Sequence, residues 1–295
     1  MKGLPPALEE TLQKIKEDRT SGARELATKA CVYILNWLER GPEDPVEEAV
    51  SLLAQRLLEV QPSMAPFLRL SYEMERVLKG KGGSEGILVR VKNLLTDFLK
   101  ELRGGARGVA LRFASVIKAK RRVMTHSFST TVLEALLLIR PEEVICPESR
   151  PLCEGIRTAK ELGGKGVRTV VIVDAAAPGM VAECDAVIVG ADSLTSKGVV
   201  NKVGTYPLAL SAKREGVPFY VLAERYKVLP PSLTPHFRIE EKPPDEVTKE
   251  RIPLGKVRNR YFETTPFDLI TGIVMPGTFY TGGQIERLIT GKEGL

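Results

Sequence analysis

Two histidines, His126 and His236, and four cysteines, Cys31, Cys146, Cys153 and Cys184, are all the imidazole and thiol ligands in 295 residues. No two cysteines form a CxxC pair, so a zinc site is not expected, and neither is any other metal or cofactor. Nothing in the sequence marks export, so reduced and mostly buried thiols are expected rather than disulfides. Apolar runs are also short. The best, around Thr169–Val173, is broken by charge within about seven residues, far below the roughly 18–20 that a membrane helix requires. Only one basic residue and no apolar segment precede Glu9 and Glu10, so no secretory leader is expected and a cytoplasmic protein is. Asn and Gln number eight together, a depletion common in proteins from hot environments.

What is present is ordinary for a folded chain: 43% hydrophobic and 27% charged residues, with 43 basic and 37 acidic side chains giving +6. The excess is diffuse, +4 over residues 1–120 and +2 beyond. The one dense cluster, Lys118, Lys120, Arg121 and Arg122, lacks interleaved aromatics for stacking bases, so direct nucleic-acid binding is not expected. Length favours two domains.

From Leu8 to about Lys118 apolar residues recur at three and four (Leu8, Leu12, Ile15; Leu26, Ala30, Tyr33, Ile34, Trp37, Leu38), which predicts four or so helices. Breaks fall at Gly41–Pro45, Gln61-Pro-Ser and Gly80–Ser84; the last helix runs from about Ser84 to Ile117, with a bend conceivable at Gly104-Gly105. From Arg122 short β-rich runs alternate with helical patterns: Val123-Met-Thr, Val144-Ile-Cys, Val170–Val173, Ala186–Val189 and Phe219–Leu222. Continuous apolar strands of this kind predict a parallel sheet covered on both faces. The expected fold class is α/β: a helical N-terminal domain over 1–118, then a Rossmann-like, doubly wound domain over 119–295. Ligands of such sheets bind beyond the C-terminal strand ends.

The strand ends carry the chemistry. After the first comes Thr125-His126-Ser127-Phe128-Ser129-Thr130-Thr131, whose hydroxyls at a helix start suit an anion. On residues alone Ser127 or Ser129 reads first as a helix N-cap, and His126 as a satisfied polar core residue before a general acid. After the second stands Glu148-Ser149-Arg150-Pro151, where Arg150 can clamp a phosphate. Asp174 follows the third strand as a cap or hydroxyl acceptor. Gly190-Ala191-Asp192-Ser193 ends the fourth, followed by Asn201, Lys202 and Gly204 at an expected helix start. A carboxylate, an amide and a lysine so close suit a phosphorylated polyol; the alternative is an Asp192–Lys202 salt bridge. Lys227, after the fifth strand, is either a second phosphate ligand or a solvated charge.

The ordered words THSFS, ESRPLCEG, VDAA, VIVGADSL, NKVGT, PFYVLAERYK and Thr265-Pro-Phe-Asp268 resemble a known superfamily. It joins the α, β and δ regulatory subunits of translation initiation factor 2B, their archaeal relatives, ribose-1,5-bisphosphate isomerase and methylthioribose-1-phosphate isomerase. The likeness is strong over about 120–290 and weaker in the helical half, through Thr20-Ser21-Gly22-Ala23. It implies dimerisation through the second domain and a ligand that is a phosphorylated sugar or nucleotide. In the isomerase branches a cysteine in the first word and the aspartate of the Gly-Ala-Asp word form the catalytic pair. This chain keeps Asp192 but has Ser127 at the cysteine's place, and Ser21 where those branches have arginine.

The resemblance therefore implies a regulatory subunit with a pocket of Ser127, Ser129, Arg150, Asp192, Asn201, Lys202 and Lys227. It would form a homodimer or higher homo-oligomer, with translation initiation factor 2 as a possible partner. An active ribose-1,5-bisphosphate-type aldose–ketose isomerase is the alternative. It would need a thiol from Cys146 or Cys153, or chemistry by Asp192 with His126.

Overall fold

A computed structural model describes residues 3–42, 45–80, 83–117 and 121–290. Among these, no helix is long and apolar enough to cross a membrane. The chain divides into two compact units, Met1–Gly104 with Ser232–Arg238, and Gly105–Pro231 with Ile239–Leu295. The domain boundary expected at 118/119, and with it Lys118 and Lys120, lies outside the described residues.

The first unit is helical, as the three-and-four spacing predicts: α1 (Pro6–Glu17), α2 (Ala23–Arg40), α3 (Val46–Val60), α4 (Ala65–Lys79) and the beginning of α5 (Ser84–Val116). Leu8, Leu12 and Ile15 of α1 and Leu26, Ala30, Ile34 and Leu38 of α2 are buried. Tyr33, counted with that face, is instead 53% exposed. The buried Gln61 amide closes the C-terminus of α1 by donating to the carbonyls of Ile15 and Lys16 at 3.0 and 3.2 Å. These are orphan acceptors that a helix end leaves unpaired.

The second unit is α/β. Its elements in order are β1 (Arg122–Met124), α6 (Thr130–Ile139), β2 (Glu143–Pro147), α7 (Glu154–Gly163), β3 (Arg168–Ile172), α8 (Ala177–Met180), β4 (Ala186–Val189), β5 (Ser193–Thr195), β6 (Gly198–Lys202), α9 (Thr205–Glu215), β7 (Phe219–Leu222), β8 (Phe262–Thr265), β9 (Gly272–Met275), β10 (Thr278–Tyr280) and α10 (Gly282–Ile289). Seven strands form one sheet in the order β10-β9-β7-β4-β1-β2-β3, parallel except for β10. The chain steps from β1 outward to β3, then returns to lay β4 on the other side of β1, so the topological switch point lies between β1 and β4.

Alternation along the strands supplies both cores. Val123, Val144, Cys146, Ala186 and Ile188 pack with α6, α7 and the Val109–Phe113 stretch of α5. Met124, Ile145, Val187 and Val189 pack on the opposite face, with α9 and α10. The expectation of strands covered on both faces fails at the edge strand β3, where Val171 is 48% exposed. Within α5 the helix passes through Gly104-Gly105 without ending. A Cβ on Gly105 would meet Glu224 Cγ at 2.9 Å, so close packing accounts for a glycine there.

A second sheet, antiparallel β5-β6-β8, has no counterpart in the sequence expectation, which places Asn201 and Lys202 at a helix start. They lie on β6 instead, and α9 begins at Thr205.

Candidate functional site

The loops that follow β1 and β4 meet at the switch point. A Cβ on Gly190 would lie 2.7 Å from Ser129 Oγ, so only glycine lets the end of β4 approach the start of α6. Ser129 is the N-cap of α6, accepting from the Val132 amide at 3.3 Å. Ser127 holds a left-handed backbone, φ +66°, a conformation sparsely populated by residues other than glycine. The neighbours fix it there: its N–H donates to Ser149 Oγ at 2.8 Å, and its carbonyl accepts from Thr158 Oγ1 at 2.7 Å.

His126, buried, bridges the same loops. Its Nε2 lies 2.8 Å from the Val203 carbonyl, which can only accept, so the proton sits on Nε2; Nδ1 faces Ser149 Oγ at 3.2 Å. Nδ1 shares the single Ser149 hydroxyl hydrogen with the Pro147 carbonyl, 3.0 Å from that hydroxyl, and burial pushes the imidazole pKa down, favouring the neutral ring. Asp174 accepts from the backbone N–H groups of Ser149 and Arg150, each at 2.7 Å, and so ties down the loop after β2 rather than its own helix.

Asp192 stands half-buried after β4, and its carboxylate makes no ion pair with any described residue. Burial pushes its pKa up; the charges of Lys227 and Lys202 pull it down without prevailing. The Asp192–Lys202 salt bridge does not form. Lys202, 4% exposed at its side chain, pairs with Glu154 Oε1 at 2.5 Å and lies over the rings of Tyr261 and Phe262 at 4.5 and 5.7 Å. Lys227 is buried too, 3.2 Å from Glu224 Oε2, while the Thr131 hydroxyl donates to Glu224 Oε1. Burial alone would raise the Glu224 pKa, but the Lys227 charge and the Thr131 hydrogen bond outweigh it and hold the carboxyl below its usual range. Lys227 is thus no solvated charge. Each ammonium spends one donor on its carboxylate and has three, so both can still hold an anion.

Two expected contributions are otherwise engaged. The N-terminus of α9 is occupied from within: Glu263 Oε1, on β8, accepts from the amides of Gly204 and Tyr206 at 2.7 and 2.8 Å. Asn201 donates its amide to Thr205 Oγ1 at 3.0 Å. Asp192, Lys202 and Lys227 therefore sit within one electrostatic cluster, with Ser129 against the same strand end. Arg150 turns elsewhere. Its guanidinium donates to the Val247 carbonyl at 2.9 Å and lines a cleft with Arg258 and Arg260.

Sequence reading missed Glu154, Glu224, Ser149 and Glu263. The first three stand inside quoted words, and a buried lysine's need for a carboxylate could have flagged Glu154 and Glu224. Glu263 lies 59 residues from Gly204, beyond any local signal.

Known proteins fit this architecture. A 33% identical protein of Pyrococcus horikoshii, named translation initiation factor eIF-2B subunit 2-like, aligns over 276 residues, 92% of this chain and 95% of its own. A ribose 1,5-bisphosphate isomerase of Archaeoglobus fulgidus is 32% identical over 278 residues, 90% and 87% of the two chains. The crystal structure of translation initiation factor eIF-2B from Pyrococcus horikoshii superposes with a TM-score of 0.80 at 32% identity, covering 94% of this chain and 98% of that one. The model of the initiation factor 2 subunit family matches residues 7–276, and the chain belongs to that family.

Proposed function

We propose that this chain is a regulatory-type member of the family that binds a phosphorylated sugar or a nucleotide at the strand ends and does not turn it over. The observation that carries the reading is the pairing of a half-buried Asp192, free of ion pairs among the described residues, with two buried lysines, Lys202 and Lys227, at the switch point of a doubly wound sheet. A carboxyl suits sugar hydroxyls, and the ammonium groups suit phosphate. Isomerase chemistry through Cys146 is disfavoured, because that residue is fully buried and burial pushes its thiol up to about 12. Ser127 offers a hydroxyl, a much weaker acid than a thiol. A homodimer or higher homo-oligomer working in the cytoplasm, with translation initiation factor 2 as a partner, belongs to the same reading.

The second reading, an aldose–ketose isomerase, is favoured by the relative named ribose 1,5-bisphosphate isomerase and by the raised Asp192 pKa, which suits a group that gives and takes protons. In this second reading Asp192 is the catalytic residue to which proton transfer falls. The test is to follow ribose 1,5-bisphosphate by calorimetry and by product formation, in the wild type, Lys227→Ala and Ser127→Cys. The regulatory reading expects a binding heat in the wild type that weakens in Lys227→Ala, and no product. Rapid wild-type turnover overturns it, and equal or absent heats in both proteins remove the pocket.

A further inference from the structure

Arg150, Arg258 and Arg260 line a cleft of about 400 Å³ whose remaining walls include Pro151, Val203 and Val247. That volume lies within the range of small-ligand sites. The arginines come from two separate stretches, the loop after β2 and the extended segment before β8. Arg258 and Arg260 both reach Glu241 Oε1 and so project to one side. Asn259 between them is buried, its amide donating to the Pro243 carbonyl at 2.7 Å and to Glu246 Oε2 at 2.8 Å, which pins the segment.

Their charges are not balanced. Arg258 and Arg260 share a single carboxylate oxygen, Glu241 Oε1. Among the described residues the Arg150 guanidinium donates to the carbonyls of Val247 and Glu246, at 2.9 and 3.4 Å, and these bear no net charge. Three guanidiniums therefore face one carboxylate at contact distance. Hydrogen bonds from Arg260 and Arg258 hold Glu241 at about 2, so it counts as one full negative charge at neutral pH. At contact distance the excess is two positive charges, which the nearby Glu246 carboxylate, held by Asn259 and Tyr261, offsets in part. Both Glu241 partners are more than half exposed, and ion pairs so exposed yield readily to a competing anion.

We propose that this cleft is a second binding site, for a small polyanion carrying two phosphate-class groups, held between Arg150 on one side and the Arg258–Arg260 pair on the other. Guanidinium forks match phosphate oxygens in pairs, and the valine and proline walls take the ligand's less polar side. The site shares no side chain with the Asp192 cluster and stands whether or not that cluster binds a sugar phosphate.

Inorganic pyrophosphate is the probe, titrated calorimetrically into the full-length protein at low and at physiological salt. The expected result is binding that weakens with salt, falls at least about tenfold in Arg258→Gln/Arg260→Gln and several-fold in Arg150→Gln, and stays within about twofold in Lys213→Gln. Thermal melts confirm that the arginine variants fold, as expected for exposed side chains. Wild-type affinity in the double variant overturns the site, as does an absence of binding to the wild type. A loss in Lys213→Gln equal to that in the double variant also overturns it, since attraction would then come from net charge alone.

Discussion

Asp192 and Glu224 are neighbours in one electrostatic cluster and answer oppositely to burial, because only Glu224 has direct partners in Lys227 and Thr131. Asp192 folds with its pKa raised, so the native state binds its proton more tightly than the unfolded chain does. Stability from this group is present in acid, and is lost as pH rises from the unfolded value of 3.8 through the native one. Asp192→Asn is therefore expected to raise the melting temperature at pH 7 by a few degrees, with the gain vanishing below about pH 4; a lower melting temperature at pH 7 contradicts the assignment. His126 has the opposite dependence. Its native pKa is depressed, so the unfolded state takes the proton first, and stability falls as pH drops below 6.5. Urea denaturation of His126→Asn between pH 7 and 5 is expected to show a flatter profile than wild type; an unchanged slope would mean that His126 does not set it. Among the site residues, Asp192, Lys202 and Lys227 were legible in sequence because polar groups following a buried strand need a reason to be there. Their partners were not, since pairing Lys202 with Glu154 requires the β6 hairpin to fold against the start of α7.

At the scale of elements, the parallel strands declared themselves through unbroken apolar runs such as Ala186–Val189, buried at every position. The antiparallel β5-β6-β8 sheet did not. β8 pairs with β6 across some sixty residues, and Gly198–Lys202 is as compatible with a loop before α9 as with a strand. The same long-range pairing brings Glu263 to the α9 N-terminus, a role local pattern assigns to a Ser, Thr or Asp just before the helix. Glu263→Ala is expected to cost about 1–2 kcal/mol by leaving two amide donors without their acceptor, and Glu263→Gln to recover most of it. Chemical denaturation of the two variants checks this, and equal losses in both would point to side-chain packing instead of the cap.

For the molecule as a whole, thiol accessibility reports how tightly the two cores are closed. Cys31 sits in the helical unit, and Cys146 and Cys184 in the α/β unit. Burial pushes all three thiols up to about 12, against a usual value near 8.5, leaving on the order of a thousandfold fewer thiolates at neutral pH. Cys153, at the start of α7, is only half-buried. Labelling the native protein with a maleimide and locating the adducts by mass spectrometry is thus expected to find Cys153 modified first. The other three should react only at the rate of opening, slower by about 10³-fold or more given ordinary domain stabilities. Urea short of the unfolding transition should accelerate Cys31, Cys146 and Cys184 while scarcely affecting Cys153. Rapid labelling of Cys146 in the native state would place a reachable thiol beside the loop after β2, and the argument against isomerase chemistry through that residue would fall.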